Sequence, residues 1–222
     1  MKHLAIIMDG NGRWAERKDK KRAFGHEEGA RNVRTITEYA AENGIEYLTL
    51  YAFSTENWKR PKTEVAFLMK LLAKFLKQEL EILIKNNIRF EVIGDISRFS
   101  PALQASIHHV KSETSTCSGM VQILAINYGS RDEITRAVNS AIKNGKEISE
   151  QDLSTLLDTS LFPDVDLLIR TGGDQRLSNF LLWQAAYAEL FFTSTLWPDF
   201  SCGELKTILT KYVSTTRKFG AL

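Results

Sequence analysis

Short runs rich in β-branched and aromatic residues alternate along this chain with stretches patterned for helices, and that alternation leaves few folds open. The strand-type runs are His3–Met8, Tyr47–Phe53, Ile88–Gly94, Val121–Tyr128, Asp166–Arg170 and Leu190–Leu196. Predicted helices cover about Gly29–Asn43, Thr63–Asn86, Pro101–Thr114, Arg131–Lys143, Glu150–Asp158, Asn179–Tyr187 and Cys202–Arg217. Asn43-Gly44 is a helix stop, and Ser149 with Asp152 reads as a helix start. Strands separated by helix-length segments indicate parallel βα units. The expectation is an α/β protein: one domain over residues 1–222, with a central, mainly parallel six-stranded sheet flanked by helices. Neither an internal repeat nor a linker interrupts it.

A chain of 222 residues can bury a substantial core, and 43% hydrophobic with 25% charged residues is ordinary for a globular protein. The 29 basic and 27 acidic residues nearly cancel, so overall charge identifies no polyanionic partner. Cys117 and Cys202 match neither a metal spacing nor a disulfide framework, which suits a reducing cytoplasm. The first residues lack the apolar stretch of a signal peptide, and no run approaches the roughly 20 apolar residues of a membrane span. A cytoplasmic protein is expected, with peripheral membrane contact left open.

The chemistry gathers where predicted strands end, which is where parallel sheets bind ligands. Ala5-Ile6-Ile7-Met8 stops on Asp9-Gly10-Asn11-Gly12-Arg13-Trp14. Asp9 is a candidate Mg²⁺ ligand, Gly10 and Gly12 leave backbone free to approach an anion, and Arg13 is a fixed cation. A tight turn with a capping Asp explains the same residues. Arg17, Lys18, Lys20, Lys21 and Arg22 follow, opposed by Glu16 and Asp19. A solvated basic loop is the default for that segment; an anion site is the alternative. Nucleic acid is not expected, since no nucleic-acid-binding signature accompanies it.

The second strand runs into Ser54-Thr55-Glu56-Asn57-Trp58-Lys59-Arg60-Pro61, a loop of mixed chemistry of the kind that binds or closes over ligands. The fifth leads into Arg170-Thr171-Gly172-Gly173-Asp174-Gln175-Arg176-Leu177-Ser178, where arginines suited to phosphate flank a glycine pair. Asn127-Tyr128-Gly129-Ser130-Arg131 ends the fourth. Structural turns explain any one of these alone. Together they suggest a Mg²⁺-assisted diphosphate site. The predicted helix Thr63–Asn86 adds an apolar stripe (Val65, Leu68, Met69, Leu72, Leu76, Leu80, Leu83) widened by Phe67, Leu71, Phe75 and Ile82. That width fits ordinary core, a dimer contact, or the wall of an apolar tunnel for a hydrocarbon.

These residues resemble the cis-prenyltransferase family, its bacterial undecaprenyl diphosphate synthase branch in particular. The resemblance runs from about His3 to Gly220. It rests on Met8-Asp9-Gly10-Asn11-Gly12-Arg13-Trp14, Arg22-Ala23-Phe24-Gly25-His26, Tyr51-Ala52-Phe53-Ser54-Thr55-Glu56-Asn57-Trp58 and Ile93-Gly94-Asp95. Asn127-Tyr128-Gly129, Ile169-Arg170-Thr171-Gly172-Gly173, Ser178-Asn179-Phe180-Leu181-Leu182-Trp183-Gln184, Tyr187-Ala188-Glu189-Leu190 and Leu196-Trp197-Pro198-Asp199-Phe200 continue it.

The resemblance implies condensation of isopentenyl diphosphate onto farnesyl diphosphate, with Mg²⁺, to make undecaprenyl diphosphate, precursor of the lipid carrier for peptidoglycan synthesis. By matching position, Asp9 would coordinate Mg²⁺, with Glu189 contributing to the metal site. The Gly10, Asn11, Gly12 and Arg13 backbone, with Trp14 beside it, Arg13, Arg22 and His26 would hold the allylic diphosphate. Arg170, Arg176 and Ser178 would hold that of isopentenyl diphosphate. Ser54, Thr55, Asn57 and Trp58 would line the reaction centre, Asn57 assisting proton removal; Phe53 would touch hydrocarbon, and Glu56 and Arg60 would belong to a closing loop. A homodimer is implied.

Departures are visible. Gly173-Asp174-Gln175-Arg176 replaces Gly-Gly-Glu-His-Arg, so no acid/base role of that His transfers. Ser130 replaces a usual Gly, and Lys218-Phe219-Gly220 replaces Arg-x-Gly, losing the bidentate fork. Small Ala52 would leave a tunnel open, and Met120 stands where it would end. The alternatives are a non-catalytic partner subunit of a heteromeric prenyltransferase, disfavoured by the presence of Asp9 and Arg13, and another Mg²⁺-dependent phosphate-ester enzyme.

Overall fold

A computed structural model describes residues 1–143, 145 and 147–215. Six strands form its centre: β1 (His3–Ile7), β2 (Tyr47–Ser54), β3 (Arg89–Ile93), β4 (Val121–Tyr128), β5 (Leu167–Arg170) and β6 (Glu189–Phe192). They lie in the order β3-β4-β2-β1-β5-β6, and every neighbouring pair is parallel. The helices are α1 (Asn11–Glu16), α2 (Arg22–Glu42), α3 (Lys62–Lys85), α4 (Pro101–Glu113), α5 (Ser130–Lys143), α6 (Glu150–Leu156) and α7 (Cys202–Val213). Single 3-10 turns occupy Thr55–Lys59, Ile96–Arg98 and Trp197–Asp199.

All five residues of β1 are buried, as a parallel strand covered on both faces must be. Leu4, Ile6, Leu48, Leu50, Leu124 and Ile126 point to the face covered by α2, α3, α4 and α7. Ala5, Ile7, Ile123, Ala125 and Leu168 alternate to the other, under Phe180, Leu181 and Ala185. Ile7 pairs with Tyr51 on one side and Arg170 on the other. From β1 the chain moves to β2, whereas from β5, on the opposite side of β1, it moves away to β6. Neighbouring strands whose connections diverge leave a crevice at their carboxyl ends. Asp9 and Arg170 stand at that crevice.

The structure corrects several expectations. Arg17, Lys18, Lys20 and Lys21 form the exposed turn expected of the basic segment, but a short helix, α1, precedes it and α2 already begins at Arg22 rather than Gly29. A Cβ on Gly25 or Gly29 would collide with Asn11, so glycines allow α1 and α2 to touch. The same glycines weaken helix propensity, which hides the early start. The predicted helix Asn179–Tyr187 is a series of turns, with positive φ at Ser178 (47°), Asn179 (64°) and Leu181 (46°). Its apolar residues serve burial without helix: Phe180 and Leu181 are fully buried, and Phe180 stacks on Tyr51 at 4.3 Å. The last strand ends at Phe192, because Gly172 and Gly173 then bond across the loop to Thr195 and Thr193. α6 begins as expected, with reciprocal Ser149 and Asp152 caps. Helix α7 closes at Val213; Arg217 and Lys218-Phe219-Gly220 lie outside the described residues.

Because Phe180 replaces a helix as the cover of this sheet face, Phe180→Ala should lower stability in urea by about 3–5 kcal/mol. A loss under about 1 kcal/mol would show that the turn segment does not carry the packing.

Candidate active site

At the carboxyl ends of β1, β2 and β5 lies a cleft of about 830 Å³. Its organising side chain is Arg170, the last residue of β5, which is 3% exposed. One guanidinium nitrogen, Nη2, donates to Asp9 Oδ2 at 2.8 Å and to Asp174 Oδ2 at 3.2 Å. The other, Nη1, donates to Ser178 Oγ at 2.7 Å and to the Arg176 carbonyl. Arg13 approaches Asp9 Oδ1 at 3.3 Å, and Arg176 donates to Asp174 at 2.9 Å. Gly172 (φ 90°) is required there, since its Cβ would sit 2.7 Å from the Arg13 guanidinium. Three arginines thus surround two carboxylates in the cleft.

Burial opposes ionisation of Asp9, but the hydrogen bond and charge of Arg170, the charge of Arg13 and the Gly10 N–H outweigh it and hold its carboxyl below the ordinary range. Across the cleft Glu64 collects Arg60 at 2.9 Å, His26 at 3.7 Å and Arg22 at 3.9 Å. Burial, then the charges of Arg60 and Arg22, push His26 down to about 4 against the pull of Glu64. Its Nε2 is buried with no hydrogen-bond partner. His26 is therefore neutral near pH 7. Glu56 is held low despite burial, chiefly by the Asn179 amide, which donates at 3.0 Å.

Of the residues nominated from sequence, the cleft gathers Asp9, Gly10, Asn11, Gly12, Arg13, Arg22, His26, Phe53, Ser54, Glu56, Asn57, Arg60, Arg170, Arg176 and Ser178. Four stand elsewhere. Trp14 donates to Asp199 at 2.6 Å and stacks on Phe24, bracing α1. Trp58 donates to Asn127 at 2.7 Å and meets Phe53 edge-on at 5.2 Å. Thr55 Oγ1 packs on Gly129. Glu189 opens β6 opposite Leu167, three residue levels back from Arg170 and so about 10 Å towards the other end of the sheet. Within one chain it does not join Asp9. Asn57 accepts the Ser54 N–H at 3.1 Å, so it shapes the turn. Asn127-Tyr128-Gly129-Ser130-Arg131 is also structural: Asn127 donates to the Asp95 carbonyl at 2.6 Å, and buried Ser130 caps Leu182 N–H.

Sequence reasoning missed Glu64, Asp174 and Asn179. Glu64 had a readable signal, lying four residues beyond Arg60 at the start of a helix. Asp174 sat inside a loop read only for its arginines.

Beside the cleft lies an apolar pocket of about 100 Å³ between α2, α3 and β4, lined by Val33, Leu68, Leu72, Phe75, Leu124 and Ile126. Met8, Ala52 and Phe53 line both spaces. The outer part of the wide α3 stripe, with Leu72, faces this pocket, and its inner part (Leu76, Leu83) is core.

Mg²⁺ takes one or two carboxylates and leaves several positions to phosphate and water. The Asp9 carboxyl, ionised and 30% exposed, could supply one such ligand at the cleft wall. Among the described residues no group of three or more His, Cys, Asp or Glu could hold a metal unaided. The donor set suits an ion shared with a bound diphosphate, not a closed protein cage.

Comparison with known proteins decides the ancestry. The family model described as putative undecaprenyl diphosphate synthase matches residues 7–220. The chain belongs to that family of prenyltransferases. An isoprenyl transferase of Wolinella succinogenes is 58% identical over all of this chain and 97% of its own. The farnesyl-diphosphate-specific ditrans,polycis-undecaprenyl-diphosphate synthase of Buchnera aphidicola is 46% identical over all of this chain and 92% of its own. Among solved structures, lavandulyl diphosphate synthase of Lavandula x intermedia with dimethylallyl diphosphate superposes with TM-score 0.94 at 37% identity, covering 99% of this chain and 98% of that one. A probable undecaprenyl diphosphate synthase of Campylobacter jejuni gives 0.85 at 41% identity, over the same shares. The transferase is thus cis-prenyl in type, and no helix among its described residues is long and apolar enough to cross a membrane.

The depressed His26 has a stability signature. Below pH 6.5 the unfolded chain binds a proton at His26 that the folded chain refuses until about pH 4, so its contribution is present at neutral pH and is lost as pH falls through that window. The full loss is on the order of 3 kcal/mol, and buried His3, also lowered, adds in the same direction. Urea unfolding of His26→Asn between pH 7 and 4.5 should show a shallower decline than the wild type. Parallel declines would contradict the burial of a neutral imidazole.

Proposed function

We propose that this prenyltransferase condenses isopentenyl diphosphate units onto farnesyl diphosphate with Mg²⁺ to give undecaprenyl diphosphate, which feeds the lipid carrier of cell-wall synthesis. The observation that carries the reading is the juxtaposition of an arginine-lined cleft with an apolar pocket through shared Met8, Ala52 and Phe53. A diphosphate ester of a hydrocarbon is the ligand class that needs both at once.

In this reading the allylic diphosphate lies along the Gly10–Arg13 backbone, with Arg13, Arg22 and His26 as donors. A neutral His26 can donate one hydrogen bond without a charge that burial would disfavour. The second diphosphate takes Arg170, Arg176 and Ser178, so Asp174 must release the guanidiniums it now occupies. Each contact of a cation with a phosphate oxygen near 4 Å is worth about 4 kcal/mol at an effective dielectric of about 20, before desolvation. Bound at Asp9, Mg²⁺ would neutralise charge on the departing diphosphate. Phe53 and Ala52 guide the hydrocarbon towards the α2–α3 pocket, and Asn57, fixed by Ser54, orients the reacting end for proton loss. Glu56 and Arg60, on the turn between β2 and α3, close over the substrates.

A homodimer and a peripheral membrane contact for product release complete the proposal. Exposed Leu161, Leu182, Tyr187 and Leu190 supply apolar surface for a subunit contact. A cytoplasmic location suits the substrates. Each unit added buries five carbons, worth up to about 4 kcal/mol, so growth is drawn forward and release is slow.

Incubation with labelled isopentenyl diphosphate, farnesyl diphosphate and Mg²⁺ should give butanol-extractable product that EDTA abolishes. Asp9→Ala should lose at least about 100-fold in rate with its unfolding curve intact. Substantial turnover by that variant would remove Asp9 from the reaction. Phosphate release from simple esters without prenyl transfer would instead favour a phosphatase. Steady turnover should rise with added detergent; turnover indifferent to detergent, with no burst of bound product, would contradict slow release.

A further inference from the structure

One residue of the cleft, Asn179, joins loops that follow three different strands. Its Nδ2 donates to Glu56 Oε1 at 3.0 Å, on the turn after β2. Its Oδ1 accepts the Arg131 N–H at 2.9 Å and its carbonyl accepts the Ser130 N–H at 2.8 Å, both beyond β4. Asn179 itself follows Ser178 in the loop after β5, and the two hold left-handed backbone, at φ 64° and 47°. Asn is among the few residues that adopt this conformation readily. Gly129 makes room for the amide: a Cβ there would lie 2.6 Å from Asn179 Nδ2 and 2.7 Å from Thr55 Oγ1. Gly129 is not in the left-handed region, so close packing, not backbone conformation, calls for glycine.

The turn that Asn179 grips is a unit. Ser54 and Asn57 cap each other reciprocally: the Asn57 N–H donates to the Ser54 hydroxyl, and the Ser54 N–H donates to Asn57 Oδ1 at 3.1 Å. Glu56 lies within this box, so a bond to Glu56 places Ser54 and Asn57 as well. On the other side of Asn179, Ser178 Oγ accepts from Arg170 Nη1 at 2.7 Å. Ser54, Glu56, Asn57, Ser178 and Asn179 all line the cleft. The two halves of the amide do separate work. Capping Arg131 uses its oxygen, which an aspartate would supply equally well; only the contact with Glu56 needs the N–H donor. A hydrogen bond to a carboxylate is also stronger than one between neutral groups.

We infer that Asn179 is a positioning residue: its amide ties the Ser54–Asn57 turn to the loop bearing Ser178, so that one contact sets the reacting end of the substrates relative to the second diphosphate. What the two loops hold rests on the prenyl-transfer reading above; the contact between them does not. A diphosphate that takes Arg170 and Ser178 acts on the backbone adjoining Asn179, and any shift there is passed to Glu56. The turn thereby closes over an occupied site in preference to an empty one.

The test compares the wild type, Asn179→Asp, Glu56→Gln and the double variant. Asn179→Asp tolerates the left-handed backbone, keeps the cap on Arg131 and sets two carboxylates against each other. In the double variant the introduced amide at position 56 can donate to the introduced carboxylate at position 179, restoring the bond in reverse. Backbone hydrogen exchange over residues 55–60, without substrate, should quicken about fivefold or more in Asn179→Asp and return to within about twofold of wild type in the double variant. The KM for isopentenyl diphosphate should rise about tenfold in Asn179→Asp and fall back in the double variant, with Glu56→Gln the milder of the two single changes. Wild-type exchange and KM in Asn179→Asp would overturn the inference. So would a double variant as impaired as Asn179→Asp in both readouts, since Asn179 would then act on substrate or on the fold and not through Glu56. A wild type that makes no product at all would defeat the prenyl-transfer reading, while the exchange measurement would still decide the contact.

Discussion

A guanidinium buried at the end of a central strand needs anionic and carbonyl partners, and both terminal nitrogens of Arg170 have them, while its Nε is buried without one. Its charge sits where β1 and β5 part, so the loops after both strands must converge on it. Breaking such a pair strands a buried charge, at about 3–5 kcal/mol. That penalty orders the Gly172-Gly173 loop, Ser178 and Asp9 before any substrate arrives. The same contact keeps Asp9 ionised against the cost of burial. An ionised carboxylate is thereby held at the cleft wall beside a second acid, Asp174, that shares the same guanidinium nitrogen.

The apolar half of the site follows from how α2 and α3 sit on the sheet. Gly25 and Gly29 let α2 press against Asn11, which brings the start of α2, with Arg22 and His26, over the cleft. Further along, α2 and α3 diverge enough to leave the apolar pocket, then are drawn together by Arg34 and Glu79. One pair of helices thus supplies Arg22 and His26 to the cleft, the apolar lining of the pocket and a buried polar layer in sequence.

The sheet was legible because its strands are short, apolar and separated by helix-length segments, and because buried parallel strands carry little polar ambiguity. Most of the cleft was legible too, since cations and glycines gather at strand ends. What escaped detection depends on long-range partners. α1 and the early start of α2 were hidden by glycines that make sense only once Asn11 packs on them. The 179–187 turns have helical spacing, yet positive φ at Asn179 and Leu181 is set by Phe180 reaching Tyr51. Trp14 and Trp58 share the cleft's sequence motifs but brace its walls through Asp199 and Asn127. Glu64 and Asp174 are acids whose meaning comes from arginines distant in sequence or overlooked beside them.

The dependence of Asp9 on Arg170 can be read directly. The ¹³C-carboxyl shift of Asp9 should be followed against pH in the wild type and in Arg170→Gln, without substrate or metal. In the wild type the midpoint should lie below the ordinary aspartate range, and in Arg170→Gln it should move upward as burial is left unopposed. An identical midpoint in the two folded proteins would contradict the claim that this one buried guanidinium organises the site.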